Sequence, residues 1–299
     1  MSTSDARSSS VQAYALLALA GLCWSGNHVL GRAIAGHVPP VSLSAMRWVF
    51  PCIIAGLLAR RHLGRDWPAL RAHWKAMLVL GLSGGALFSA LQYVGLQYTT
   101  AVNVSVLNSL GPVFILAAVA IMFGETLRPI QLAGIAISLA GVLFIVTRGE
   151  PALLAELSFN YGDLIILFNM VVWGIYSAVL RLRPTVHWTS FMFAFALIGA
   201  LGTVPFAVHE YAQGIRFQPT LTTFLTIAYV SIFPSLVAFL SWNRGVELIG
   251  ANRAGALLHL VALYSAVLAW LFLGERLAGF HVMGFALILA GVTLAARKA

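Results

Sequence analysis

The sequence predicts an all-α integral membrane protein with ten transmembrane helices in two inverted five-helix repeats. Three observations lead there. Hydrophobic residues make up 60% of the 299 and charged residues 9%, against roughly 45–50% and 25% in soluble domains. So few charges could not cover the surface of a water-soluble fold. The apolar residues also fall in runs of spanning length, since a hydrocarbon core about 30 Å thick takes ~20 residues of helix. Finally, the chain repeats itself at one ungapped offset of 150 residues. Gly95, Ala101, Leu107, Leu110, Gly124-Glu125, Leu127, Gly134 and Leu139-Ala140-Gly141-Val142 match Gly245, Ala251, Leu257, Leu260, Gly274-Glu275, Leu277, Gly284 and Leu289-Ala290-Gly291-Val292. Duplicated halves are one way to build a transport site that faces either side of a membrane in turn.

The first candidate span is 12–31, preceded by small and polar residues with Arg7 among them. A removable leader is the competing reading. However, the run is about 20 residues long, has no small-x-small cleavage pattern and contains Trp24, Asn27 and His28, and Leu22 before Cys23 spoils a lipoprotein box. A retained helix is expected. Further spans fall at 42–59, 76–96, 101–122, 130–147, 161–180, 188–208, 221–241, 252–273 and 280–296. They are too long for barrel strands, and lipid tolerates no unpaired backbone groups, so they should be helices. Connections are short and carry breakers such as His37-Val38-Pro39-Pro40, Arg183-Pro184 and Gln218-Pro219, leaving no extramembrane domain. The repeats divide the chain into 1–150 and 151–299.

Orientation follows from Lys and Arg. With the N-terminus cytoplasmic, thirteen fall on inside segments and four (Arg32, Arg148, Arg216, Arg276) outside, while Arg47 lies within the second span. Both termini are therefore expected in the cytoplasm. Because five is odd, the second repeat must be upside down relative to the first. The net charge of +9 does not point to nucleic acid, because the basic residues are spread over the gaps instead of forming one face. Cys23 and Cys52 lie in apolar runs and suggest packing, not a disulfide or metal site. No metal or cofactor is expected. No Walker motif, HExxH, CxxC or Asp-rich pair occurs, which disfavours direct use of ATP and the alternative of a membrane-embedded lipid-modifying enzyme.

Trp24-Ser25-Gly26-Asn27, Ala45-Met46-Arg47-Trp48, Gly111-Pro112-Val113-Phe114 and Gly124-Glu125-Thr126-Leu127 in the first half resemble the EamA family of the drug/metabolite transporter superfamily. Gly274-Glu275-Arg276-Leu277 and Leu289-Ala290-Gly291-Val292 carry the resemblance into the second half. Within the family, the chain is most similar to YddG-type amino acid exporters. That likeness implies export of aromatic and other neutral amino acids through a central cavity between the halves. Ala262 stands opposite Pro112, which argues against a symmetric pair of proline kinks. The family likeness and the bias of 16 Arg against 2 Lys suggest a bacterial inner (plasma) membrane.

Buried polar residues in a span are expensive, so each is a candidate for function. Trp24, Asn27 and His28 share one helical face, and the repeat maps them toward a second stripe of Asn169, Trp173 and Tyr176. Two such stripes suggest opposite walls of a substrate cavity; the plainer reading is helix–helix packing. Ser105, Asn108 and Pro112 share a face of the fourth span, where the proline frees the carbonyl of Asn108 and could serve gating. His259 is a structural hydrogen bonder, a cavity donor or a proton-linked group. Gln92, Tyr93, Trp242 and Asn243 are weaker candidates, because Tyr and Trp at helix ends often form interface belts. Pro234 and Pro205 are placed to kink their helices, Pro234 as a second gating candidate. Arg47 is expected to snorkel to the outer surface rather than capture an anion. Glu125 and Glu275 are expected to cap helices.

No Asp or Glu occupies the middle of a span, and no lysine is intramembrane. A proton-coupled exporter of cationic drugs usually needs such a carboxylate, and a carrier of phosphorylated or nucleotide-linked metabolites should line its cavity with cations. A secondary transporter of small neutral metabolites, foremost amino acids, fits better than either. The lipid bilayer is the expected partner, and two repeats in one chain could suffice as a monomer.

Overall fold

A computed structural model describes residues 3–108, 110–125, 128–146, 149–150, 160–274 and 278–295. Helix is the regular structure among them. In the first half α1 is Thr3–Ala33, α2 Pro40–Ala59, α3 Leu63–Ala72, α4 Trp74–Leu80, α5 Phe88–Tyr98, α6 Ala101–Asn108, α7 Gly111–Phe123 and α8 Pro129–Val146. In the second half α9 is Tyr161–Val179, α10 Trp188–Ala212, α11 Leu221–Ser231, α12 Ala238–Ile249, α13 Ala251–Ala256, α14 His259–Leu273 and α15 Gly279–Ala295. Six stretches are long and apolar enough to cross a membrane: Val11–Ala33, Pro40–Ala59, Trp74–Tyr98, Tyr161–Leu182, Trp188–Ala212 and Leu221–Ile249. Shorter apolar helices cover Gly111–Phe123, Pro129–Gly141, Leu263–Leu273 and Gly279–Gly291.

Local chemistry sets the ends. Pro40 opens α2, where its missing N–H costs nothing. The Asn160 side chain accepts from the Asp163 N–H at the start of α9, and Thr220 accepts from Thr223 N–H at the start of α11. Gly124 and Gly274 stop α7 and α14 at φ 66° and 67°, a left-handed turn that any Cβ would strain. In both halves one helix is interrupted by a π turn, at Gly81–Leu87 and at Ile232–Val237. The two turns coincide at the repeat offset, and π turns concentrate at functional sites.

The surface is inverted relative to a soluble protein. Large apolar side chains such as Leu57, Ile121, Phe206, Leu225 and Phe272 face outward, while Asn27, His28, Arg47, Gln92, Asn169 and Ser235 are buried. This suits lipid outside and a polar interior. Helices pair across the halves: α1 with α12 and α14, α9 with α5 and α7, α2 with α10, and α8 with α15. The α8–α15 pair is antiparallel and reciprocal, since Gly141 lies against Gly284 and Gly291 against Gly134, while Ser138 donates to the carbonyl of Ile288. Glycine at the crossings lets the backbones touch.

Three local expectations need correction. The span expected over 101–122 is broken into α6 and α7, and that over 252–273 into α13 and α14. The second break has no proline at all. The chain instead turns through 3₁₀-type bonds from Leu257 N–H to Ala254 O and Leu258 N–H to Gly255 O, beside a glycine that weakens a helix by about 1 kcal/mol. Pro205 lies inside α10, which continues past it. The segment 63–72, taken as a connection, forms α3, with Asp66 in its first turn and Arg71 in its last as the helix dipole favours.

Candidate functional site

Helices α1 and α9 supply the centre of the site. Trp24 is buried against Trp173 at 5.3 Å in an edge-to-face contact, and against Phe239 and Trp242 at 5.7 and 5.6 Å. Trp173 also meets Phe88 at 4.7 Å and Tyr176 at 5.1 Å. The two stripes read from the sequence therefore meet at the centre, joined by α12. The Trp24 indole donates to the carbonyl of Pro234 in the π turn at 3.1 Å.

On one side of this aromatic cluster lies a small cavity of about 30 Å³, room for no more than a water or two. Trp24, Asn27, His28, Gln92, Asn108 and Trp173 line it together with Arg47, Phe88, Met170, Leu258 and Val261. Apart from Asn27 and Arg47, the polar groups form two networks. Asn108 Nδ2 lies 3.2 Å from His28 Nε2, whose Nδ1 lies 3.3 Å from the Ser265 hydroxyl. Asn169 Nδ2 donates to Gln92 Oε1 at 3.0 Å and to the carbonyl of Phe88 at 3.1 Å. Gln92 Nε2, Asn108 Oδ1, Asn169 Oδ1 and Trp173 Nε1 are buried without a hydrogen-bond partner. Each such atom costs about 1–3 kcal/mol; Gln92, Asn108 and Trp173 line the cavity, and Asn169 stands behind it, bonded to Gln92.

On the other side a wider cavity of about 670 Å³ is lined by Ser177, Arg181, Arg183, Asn243, Glu247, Glu125 and their neighbours. Arg181 pairs with Glu125 at 2.8 Å and Glu247 with Arg183 and Arg244 at 2.9 Å. The pairs are half-exposed and each adds at most about 1 kcal/mol. Two hydrogen bonds flank the aromatic cluster. Tyr93 Oη donates to Asn27 Oδ1 at 2.6 Å, and Tyr176 Oη donates to Asn243 Oδ1 at 2.6 Å. Tyr93 aligns with Asn243 at the offset of 150, and Asn27 aligns with Tyr176 at the offset of 149 that matches Trp24 to Trp173, so the same bond is made in each half with donor and acceptor exchanged.

The structure thus brings together Trp24, Asn27, His28, Gln92, Tyr93, Asn108, Asn169, Trp173 and Tyr176. The side chains of Ser105 and His259, and all of Glu275, lie outside the described residues. Pro112 stands in the first turn of α7, and Pro234 lies in a π turn and offers its carbonyl inward. Tyr93, Trp242 and Asn243 are buried to within 4%, so they are interior groups and not an interface belt. Glu125 pairs with Arg181, and residues 126–127, which lead from it to α8, lie outside the described residues.

Arg47 requires the largest correction. It does not snorkel: it is fully buried and donates through Nε to Ser235 Oγ at 2.8 Å and through Nη2 to the carbonyl of Pro234 at 3.2 Å. Helical spacing held the signal, because Ser44, Arg47, Trp48, Pro51 and Ala55 form one buried stripe of α2. Ser265, Trp242, Phe239 and Ser235 also complete the site; of these only Trp242 was among the candidates.

A helical membrane protein with a polar cavity between two repeated halves is the arrangement of a transporter, and the family agrees. The chain belongs to the EamA-like transporter family, which it matches twice, over residues 11–147 and 160–297. An Archaeoglobus fulgidus protein named as an uncharacterized transporter is 30% identical over 288 residues, covering 95% of this chain and 96% of the relative. A probable terminal-alkyne amino-acid exporter of Streptantibioticus cattleyicolor is 27% identical, with 82% and 79% covered. The aromatic amino acid exporter YddG of Ancylobacter novellus is 25% identical, with 93% and 95% covered. A solved crystal structure at 22% identity superposes with a TM-score of 0.62 over 98% of this chain and 97% of the other, and so shares the fold.

Proposed function

We propose that this protein is a secondary transporter exporting small neutral metabolites, foremost aromatic and other neutral amino acids, by alternating access of two inverted five-helix halves. The observation that carries the substrate class is the central cavity, where indole and phenyl rings stand beside uncharged amides with unpartnered atoms. Relatives named as amino-acid exporters support the same reading. Trp24, Asn27, His28, Gln92, Tyr93, Asn108, Asn169, Trp173 and Tyr176 form or back the binding site, with Ser105 and His259 as further members. Pro112 and Pro234 serve the gates.

Ten spans follow if each broken pair crosses the bilayer as one unit. At about 1.5 Å per residue, α7 alone reaches only ~20 Å and needs α6 to approach a 30 Å core. Inversion of 151–299 against 1–150 is supported by the reciprocal antiparallel contacts of α8 and α15, the signature of a two-fold axis across the helices. The thirteen-to-four Lys/Arg bias supports a reading with both termini in the cytoplasm, in which the wide cavity is the inward vestibule of an inner-membrane protein. One chain holds both halves and works as a monomer.

The test is a panel of proteoliposomes, each preloaded with one unlabelled compound: neutral and aromatic amino acids, a cationic dye, a sugar phosphate and a nucleotide sugar. Exchange of labelled amino acids alone supports the reading. Exchange confined to the dye or to a phosphorylated compound overturns it.

A further inference from the structure

We infer that Arg47 is the anchor for a substrate carboxylate, so that the transported class is molecules carrying one free carboxylate and a neutral or aromatic body. This rests on the reading of the central cavity as the substrate site, and it narrows that reading.

Arg47 is the one Lys, Arg, Asp or Glu among the lining residues of the cavity. Its side chain is fully buried, and among the described residues no carboxylate oxygen lies within 4.0 Å of it. The rings of Trp48 and Tyr93, 5.7 and 5.8 Å from the guanidinium carbon, offset part of the cost, but a buried cation without a counter-charge stays expensive, and such residues mark substrate and ion pathways. The guanidinium has five N–H groups. One is held by Ser235 Oγ at 2.8 Å, one by the Pro234 carbonyl at 3.2 Å, and one reaches the Tyr93 hydroxyl at 3.5 Å. Two remain for a ligand.

The holder is itself fixed. Ser235 Oγ donates to the carbonyl of Val230 at 2.6 Å, so its lone pairs face the arginine. Both Ser235 and Pro234 belong to the π turn of the second half, whereas Arg47 comes from α2 of the first. The cation is therefore oriented by both halves.

The rest of the cavity matches a zwitterion. Asn108 Nδ2 is engaged with His28 Nε2, which leaves Asn108 Oδ1 as a buried acceptor with no partner. That atom suits an ammonium. Trp24, Phe88 and Trp173 supply an apolar wall for a ring once the cavity, closed to about 30 Å³ here, widens. A single guanidinium balances a carboxylate, whereas a phosphate with two charges would call for more cations. Arg47 has no charged counterpart in the second half, where the repeat offsets of 149 and 150 place Ala196 and Leu197, so the anchor belongs to one side of the pseudo-two-fold axis.

The experiment titrates detergent-solubilised protein with four ligands and follows tryptophan fluorescence, since Trp24 and Trp173 line the cavity. The ligands are phenylalanine, 3-phenylpropionate, phenylalaninamide and phenethylamine. Phenylalanine and 3-phenylpropionate should bind, and the two compounds without a carboxylate should bind at least tenfold more weakly. Arg47→Gln should weaken phenylalanine by on the order of 30-fold or more, as removal of one partner of a buried ion pair does, with Arg47→Lys falling between. Comparable binding of the amide and the acid overturns the proposal, as does an unchanged affinity in a folded Arg47→Gln, or no binding of either carboxylate. If Arg47→Gln does not fold, the four ligands on the wild-type protein still decide. Counterflow of phenylalanine in parallel separates the two readings. Arg47-dependent binding without exchange keeps the anchor and removes the exporter, whereas exchange that Arg47→Gln leaves intact does the reverse.

Discussion

Tyr93→Phe and Tyr176→Phe each remove one hydroxyl from a repeat-related pair and should push the transport cycle in opposite directions. Each hydroxyl donates at 2.6 Å to an asparagine Oδ1, Tyr93 to Asn27 and Tyr176 to Asn243. A neutral hydrogen bond contributes about 1 kcal/mol net, or about fivefold in a two-state equilibrium. Asn243 is buried here but borders the wide vestibule, so opening on that side brings water to replace Tyr176, and the effect of Tyr176→Phe should stay near that fivefold. Asn27 is 2% exposed and lines only the small central cavity. Leaving its Oδ1 buried and unpaired costs about 1–3 kcal/mol, roughly 5- to 150-fold. Tyr93→Phe should therefore be the stronger perturbation. Ser177 is buried at the vestibule wall, so the rate at which a maleimide alkylates Ser177→Cys, with Cys23 and Cys52 replaced by serine, reports opening on that side. Tyr176→Phe should raise the rate about fivefold, and Tyr93→Phe should lower it by more than that. Equal increases in both variants, or changes below twofold in each, would refute opposite roles for the two hydrogen bonds.

Trp173→Ala removes ring contacts with Trp24, Phe88, Tyr176 and Trp242 but no hydrogen bond. It should reduce exchange of aromatic substrates at least tenfold more than exchange of threonine, and equal loss for both would indicate packing alone. Gly291→Leu and Gly141→Leu should each destabilise the α8–α15 crossing by about 1–3 kcal/mol, because a side chain at either site meets the facing backbone. Melting in detergent should show similar losses for the two, whereas a loss confined to one would break the reciprocity. The Asp66 carboxyl is held below the ordinary carboxylate range, first by the Ser190 hydroxyl, which lies close without full hydrogen-bond geometry, and then by the His187 N–H and Arg65. A folded value below the unfolded one stabilises above the unfolded value and is lost as pH falls through the folded one. Amide exchange over 63–72 should therefore rise below about pH 4, and Asp66→Asn should abolish that dependence.

Spans, duplication and the central stripes were legible because they depend on composition and helical period. Trp24 with Asn27 and His28, and Trp173 with Asn169 and Tyr176, could be placed on shared faces before any contact was known. What escaped depends on tertiary packing. The π turns at Gly81–Leu87 and Ile232–Val237 leave no mark in hydropathy. The break between α13 and α14 was hidden because it lacks the proline that announces the one before α7. Arg47 was misread because an arginine two turns inside a span can reach water in an isolated helix. Only the neighbouring π turn, supplying Ser235 Oγ and the Pro234 carbonyl, explains why it stays inside. The partnership of Tyr93 with Asn27 and of Tyr176 with Asn243 was present in the repeat alignment, but an exchange of donor for acceptor does not register as a match.

Countertransport in proteoliposomes tests alternating access most directly. Vesicles loaded with millimolar unlabelled phenylalanine are diluted into trace labelled phenylalanine with no ion gradient imposed. Two halves that open in turn predict a transient overshoot, with label rising inside above its final equilibrium level and then decaying as the unlabelled pool runs down. Monotonic filling to equilibrium, at the same rate in loaded and empty vesicles, would contradict alternating access and leave a passive pore.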